Sequence, residues 1–188
     1  IRRIQRETQI TTVFVTHDQE EAMSISDMIV VMKDGVVHQI DRPQRVYDDP
    51  VDLFVAKFLG TPPINVFRGE VDDGMLFIGN ERVLAVAGAP NGPVMVGVRP
   101  EGFIAKEDGP LGCELVAVER MGRDTSVVAL NPALDGVQIR AIISSDEQID
   151  THSDGVRFSI RPHKTRLFDV QTGNRIRFEG DEIREAAR

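Results

Sequence analysis

Hydrophobic positions in the first sixty residues follow two alternating rhythms. Ile1 to Gln9 sets Ile1 and Ile4 among Arg, Gln and Glu, the pattern of the last turns of an amphipathic helix. Thr11 to Val15 is a short β-branched run and reads as a strand. Asp18 then stands where a helix cap belongs, with Glu21 three positions on, and Ala22, Met23, Ile25 and Met28 supply an apolar side. Ile29 to Met32 and Val36 to Ile40 are two further strands. The Asp34-Gly35 pair between them tolerates positive φ at both positions and predicts a tight hairpin. Pro43 suits the first turn of a helix running through Val46 and Tyr47. Asp52 to Leu59 forms another helix, closed by Gly60, in which Phe54, Phe58 and Leu59 make an apolar stripe. Thr61-Pro62-Pro63 cannot continue it.

Beyond Asn65 the rhythm changes. Runs of β-branched residues recur between Gly, Pro, Asn and Asp over 66–71, 75–78, 83–87, 94–98, 114–120, 126–130, 138–143, 155–160 and 165–170. That spacing predicts a compact β-barrel or sandwich, with Phe67, Phe77 and Phe103 as interior residues. The charged tail 178–188 is expected to fray or form a terminal helix. One echo is visible: Val96-Gly97-Val98-Arg99-Pro100-Glu101 and Phe158-Ser159-Ile160-Arg161-Pro162-His163 are both strand-like runs ending in Arg-Pro. Proline donates no ladder hydrogen bond, so each strand must end there or lie at an edge. The expected fold class is mainly β, with residues 1–62 as an incomplete α/β piece and residues 63–188 as a β-rich domain.

Composition narrows the function classes. The 188 residues carry a formal charge of −8, which argues against a nucleic-acid partner. No apolar run is long enough to span a bilayer. The single Cys113 excludes an internal disulfide framework, fits a reducing compartment and reads as a small buried apolar residue. His38, His152 and His163 lack ligand spacing and read as surface residues, so no metal site is expected. Arg99 and Arg161, with Lys164 and Arg166 nearby, are candidates for a small-anion site. Ordinary salt bridging at the surface is the competing account. His17, at the predicted C-terminal end of a strand and just before a helix, stands where α/β sheets place ligand-binding groups.

The run Thr16-His17-Asp18-Gln19-Glu20-Glu21-Ala22-Met23, then Ser26 to Gly35, resembles the end of the nucleotide-binding domain of ABC importer ATPases. Gln39 to Pro43, Val46 to Pro50, Phe54 to Gly60 and Pro63-Ile64-Asn65 continue the likeness. Val96 to Glu101 is similar to the accessory domain of the sugar and glycerol-phosphate importers of the maltose type. The resemblance implies that residues 1–62 belong to an ATPase domain and that 63–188 form an OB-like, TOBE-type regulatory and dimerisation domain. It assigns His17 the role of a γ-phosphate sensor in the intact ATPase, which uses ATP and Mg. Phosphoryl transfer depends on positioned charge, which an oriented imidazole supplies. Gln19 is a candidate for contact with the neighbouring subunit of the ATPase dimer.

No G-x-x-x-x-G-K-[ST] phosphate loop, Leu-Ser-Gly-Gly-Gln-like signature or apolar strand ending in Asp-Glu occurs here. These residues alone are therefore expected to bind no cofactor and hydrolyse no ATP. The implied partners are a second copy through the β domain, membrane permease subunits through the ATPase domain, and a regulatory protein or metabolite. The implied location is the cytoplasmic face of the membrane. The runner-up from another class is an accessory barrel that binds molybdate- or sulfate-like oxyanions at Arg99 and Arg161.

Overall fold

The computed structural model describes residues 2–182 apart from Gln148 and His152. The chain divides into two compact units, Ile1–Thr61 and Pro62–Arg188, and is mainly β, with 44% strand and 17% helix. Every strand pairing among the described residues is antiparallel.

The first unit holds α1 (Arg2–Thr8), α2 (Gln19–Ile25), the hairpin β1 (Ile29–Lys33) and β2 (Val36–Asp41), α3 (Pro43–Asp48) and α4 (Leu53–Phe58). Asp34 (φ 49°) and Gly35 (φ 80°) form the two-residue turn, whose twist matches that of the flanking strands. Pro43 opens α3, and Asp52 caps α4 by accepting the Val55 N–H at 2.8 Å. Ile29, Val31, Val46, Val55 and Leu59 make a small core, with Met23, Tyr47 and Phe54 packed against it. Of the expected apolar stripe, Leu59 lies in this core and Phe54 packs against it, and only Phe58 is corrected. Val55, Ala56 and Leu59 face inward, whereas Phe58 is 42% exposed and stacks on Phe54 at 5.5 Å. The other face of the hairpin leaves Val30, Met32, Val37 and Ile40 exposed.

The expected strand at Thr11–Val15 is not formed. Val13 and Val15 are 88% and 90% exposed, and the segment has no ladder partner among the described residues. A β-branched run favours extended backbone, but a strand also needs a neighbour to take its N–H and C=O groups.

The second unit contains a six-stranded and a five-stranded sheet that share one core. The first is ordered β13 (Arg175–Ile176), β12 (Thr165–Asp169), β6 (Gly92–Val98), β3 (Asn65–Asp72), β4 (Met75–Ile78), β5 (Glu81–Ala85). The second is ordered β10 (Ile139–Ser144), β9 (Asp124–Leu130), β8 (Leu111–Met121), β11 (Gly155–Ile160), β7 (Phe103–Ala105). Phe67, Phe103 and Phe158 fill the space between them, with Phe103 edge-on to Phe158 at 5.2 Å. Phe77, expected inside, is only half-buried because Leu76 and Ile78 take the inward positions of β4.

Three devices draw the sheets into a nearly closed barrel. The side-chain amide of Asn65 on β3 accepts the Arg140 N–H of β10 at 2.8 Å and donates to the Arg140 carbonyl at 3.0 Å and the Val98 carbonyl at 3.2 Å. The loop before β10 extends this seam, with Arg68 N–H on the Ala133 carbonyl and Asp135 N–H on the Val66 carbonyl. On the far side Glu81 of β5 accepts the Gly112 N–H of β8 at 2.9 Å and pairs with Arg157 of β11 at 3.2 Å. Residues 178–182 form no helix. Phe178 is buried in the core, and Asp181 pairs with Arg175 at 2.5 Å. The rest of the expected tail helix, 183–188, lies outside the described residues.

Candidate functional site

Local hydrogen bonds fix the backbone on both sides of His17. Thr16 Oγ1 accepts the Asp18 N–H at 3.0 Å and donates to Glu21 Oε2 at 3.3 Å, while Asp18 Oδ1 accepts the Glu21 N–H at 2.9 Å. This is a capping box closed through a threonine hydroxyl: Asp18 caps the helix and Glu21 completes the box, as expected. The His17 side chain is exposed, and among the described residues its imidazole has no hydrogen-bond partner. A rigid turn thus presents one imidazole outward, able to donate from one nitrogen and accept at the other. Gln19 does more than face solvent. Its Oε1 accepts the Gly60 N–H at 3.3 Å.

Arg99 and Arg161 are brought together by their backbones. Each ends a strand, is followed by proline at the start of a 3₁₀ turn (Pro100–Gly102 and Pro162–Lys164), and leads into a strand of the other sheet. The two corners hold each other reciprocally: Arg99 N–H donates to the Lys164 carbonyl at 3.1 Å, and Arg161 N–H to the Gly102 carbonyl at 2.8 Å. The sequence echo is therefore a pair of matched crossovers. Two of these cations do not lie at the surface. Arg99 and Arg166 are each only 2% exposed, and Arg166 donates to the Thr165 carbonyl at 2.7 Å. Lys164 pairs with Glu101 at 3.0 Å, so the carboxylate of one corner offsets a cation of the other.

His38, expected at the surface, is half-buried instead. Its Nδ1 lies 2.5 Å from Asp52 Oδ2, and its ring is 4.8 Å from that of Phe54. One carboxylate thus serves both the helix cap and the hairpin. Sequence spacing hid the pair, because the two residues meet only once the hairpin folds back on α4. His163 is also half-buried, and His152 lies outside the described residues. Cys113 is half-buried beside an open depression of about 380 Å³ lined by Gly112, Glu114, Leu130, Asn131 and Pro132. Burial pushes its thiol up to about 12, against a smaller lowering by the Asn131 hydrogen bond. It is therefore a protonated, weakly reactive group. Among the described residues no cluster of His, Cys, Asp and Glu suits a metal ion, and no helix is long and apolar enough to cross a membrane.

No protein-family model matches the chain. Individual proteins do. An sn-glycerol-3-phosphate import ATP-binding protein UgpC of Ruegeria sp. is 36% identical over 178 residues, 94% of this chain and 50% of the relative. The lactose transport ATP-binding protein LacK of Rhizobium radiobacter is 36% identical over 94% of this chain and 52% of its own length. By sequence the chain belongs with the ATP-binding subunits of sugar and glycerol-phosphate importers. A diacetylchitobiose uptake system ATP-binding protein MsiK of Streptomyces coelicolor, 32% identical over 94% of this chain and 53% of the relative, is a further member. The chain thus spans about half the length of these importer subunits. The three names cite a glycerol phosphate and two sugars, and none cites a molybdate- or sulfate-like oxyanion.

Proposed function

We propose that this chain is the C-terminal portion of an importer ATP-binding subunit whose full-length form couples ATP hydrolysis to solute uptake. The observation that carries this reading is the likeness to such subunits along 94% of the chain, which includes the Thr16-His17-Asp18 turn. In this reading the first unit is the end of an ATPase domain. His17, presented by its self-capped turn, hydrogen-bonds the γ-phosphate of ATP and helps place the attacking water. ATP and Mg are held by residues outside this chain, because the phosphate-binding and magnesium-binding motifs are absent from its sequence. The permease subunits are contacted by the ATPase domain at the cytoplasmic face of the membrane.

The second unit is, in the same reading, an OB-like TOBE-type domain that associates with a second copy and receives a regulatory protein or metabolite. Its two sheets, joined through reciprocal corners, give a rigid body suited to holding two ATPase domains together. The oxyanion alternative is disfavoured: two of its four cations are buried, and a third is paired with Glu101.

Two experiments test these readings. The genomic sequence upstream of the Ile1 codon should encode a G-x-x-x-x-G-K-[ST] loop, and an unrelated or non-coding upstream region overturns the ATPase assignment. Size-exclusion chromatography with light scattering should give a dimer at tens of micromolar. A strict monomer at high concentration overturns the dimerisation role.

A further inference from the structure

Three of the residues around His17 bind one another, and the fourth reaches away. Gln19, the first residue of α2, spans 41 positions of sequence to accept the Gly60 N–H, and both residues are half-buried. Gly60 follows α4 with φ 116°, a backbone state that other residues reach only with strain. The next residues, Thr61 and Pro62, straddle the boundary between the two units. Pro62 and Pro63 have fixed φ and no N–H. Thr61, which precedes a proline, is restricted as well, so the softest dihedrals of the connection lie at Gly60, the kind of position that absorbs a hinge movement. At the other end, Gln19 is rigidly connected to His17. Asp18 lies between them, with its N–H on Thr16 and its carboxylate on Glu21.

We propose that Gln19 is a latch tying the conformation of the His17 turn to the backbone freedom of the connection between the two units. A ligand that pulls on His17 moves the start of α2 and so tightens or releases Gly60. In an importer ATPase this would carry the state of the nucleotide site into the accessory domain. That functional sense rests on the reading of His17 above, but the latch itself does not, since its parts all lie within this chain. The coupling is an equilibrium between latched and unlatched Gly60, biased at the turn.

Hydrogen–deuterium exchange of the full chain tests it without nucleotide, so its failure is separable from that of the importer assignment. Gln19→Ala should speed exchange of the Gly60 amide at least fivefold, with the α4 core amides unchanged. Gln19→Glu, which keeps an acceptor, should stay within twofold of the wild type and guards against a folding defect. Thr16→Val removes a hydroxyl that serves only the turn, and it should speed Gly60 at least threefold. An unchanged Gly60 rate in Gln19→Ala overturns the latch. A fast Gly60 in Gln19→Ala with a wild-type rate in Thr16→Val makes Gln19 a local cap and overturns the coupling.

Discussion

Replacing Asn65 tests whether one amide closes the barrel. The side chain makes three hydrogen bonds, two to both main-chain groups of Arg140 and one to the Val98 carbonyl, and the residue is 6% exposed. It behaves as an extra rung, giving an edge residue of β10 the partners a neighbouring strand would give. Asn65→Ala removes all three bonds. Each is worth about 1 kcal/mol net, and a buried main-chain group left without a partner costs about 1–3 kcal/mol, so the loss is about 3–4 kcal/mol once some water enters the gap. For a domain of this size that lowers Tm by about 10–15 °C. Asn65→Asp is sharper. It keeps the acceptor for the Arg140 N–H but turns a carboxylate oxygen toward two carbonyls, so at neutral pH it should be less stable than Asn65→Ala. Below about pH 4 the protonated carboxyl can donate again, and part of the loss should return. Differential scanning calorimetry of both variants between pH 3 and 7 reads these shifts. A loss under about 0.5 kcal/mol for Asn65→Ala, or an Asn65→Asp variant matching Asn65→Ala at every pH, refutes the rung argument.

Gly109→Ala should be severely destabilising, because a Cβ there would lie 2.6–2.9 Å from the main chain of Phe158. A loss of about 2–4 kcal/mol in urea is expected, and a neutral result would show that the backbone yields. Cys113 should alkylate far more slowly with iodoacetamide in the native chain at pH 8 than in urea, roughly a thousandfold by thiolate content alone; equal rates would contradict its burial. Asp169 is held below the usual carboxylate range by hydrogen bonds from Thr172 and Gln171. Its depressed folded pKa contributes stability above about pH 4, lost as pH falls through the folded value. The Tm gap between wild type and Asp169→Asn should therefore narrow on acidification, and a constant gap would contradict the assignment.

Local chemistry was legible in the sequence wherever one segment decides its own structure. The Asp34-Gly35 turn, the Asp18 cap, the Pro43 start and most strands of the second unit are of this kind. Thr11–Val15 was misread because a strand is a relation between segments, and β-branching reports only one side of it. Phe58 was misassigned because a six-residue helix buries a narrow stripe, already filled by Val55, Ala56 and Leu59. The Arg-Pro echo was visible, but its reciprocal bonding depends on contacts between residues far apart in the chain. Asn65 and the His38–Asp52 pair were missed for the same reason. A lone amide near a proline pair and a histidine in a hairpin carry no signal until their partners arrive.

The matched corners also set a schedule. Arg99 N–H needs the Lys164 carbonyl and Arg161 N–H needs the Gly102 carbonyl, while β6 needs β12 and β7 needs β11. Neither corner can be completed until the chain past Thr165 exists. At ribosomal speeds of roughly 5–20 residues per second, β7 and the edge of β6 that faces β12 wait about 3–13 s for their mates. Through that interval Val94, Val96, Val98 and Phe103, all buried in the finished barrel, are open to solvent and to other nascent chains. A stop codon introduced before Arg161 would strip both crossovers at once and leave unpaired strand edges instead of a smaller barrel. The second half of this unit thus acts on the first as a late-arriving clamp.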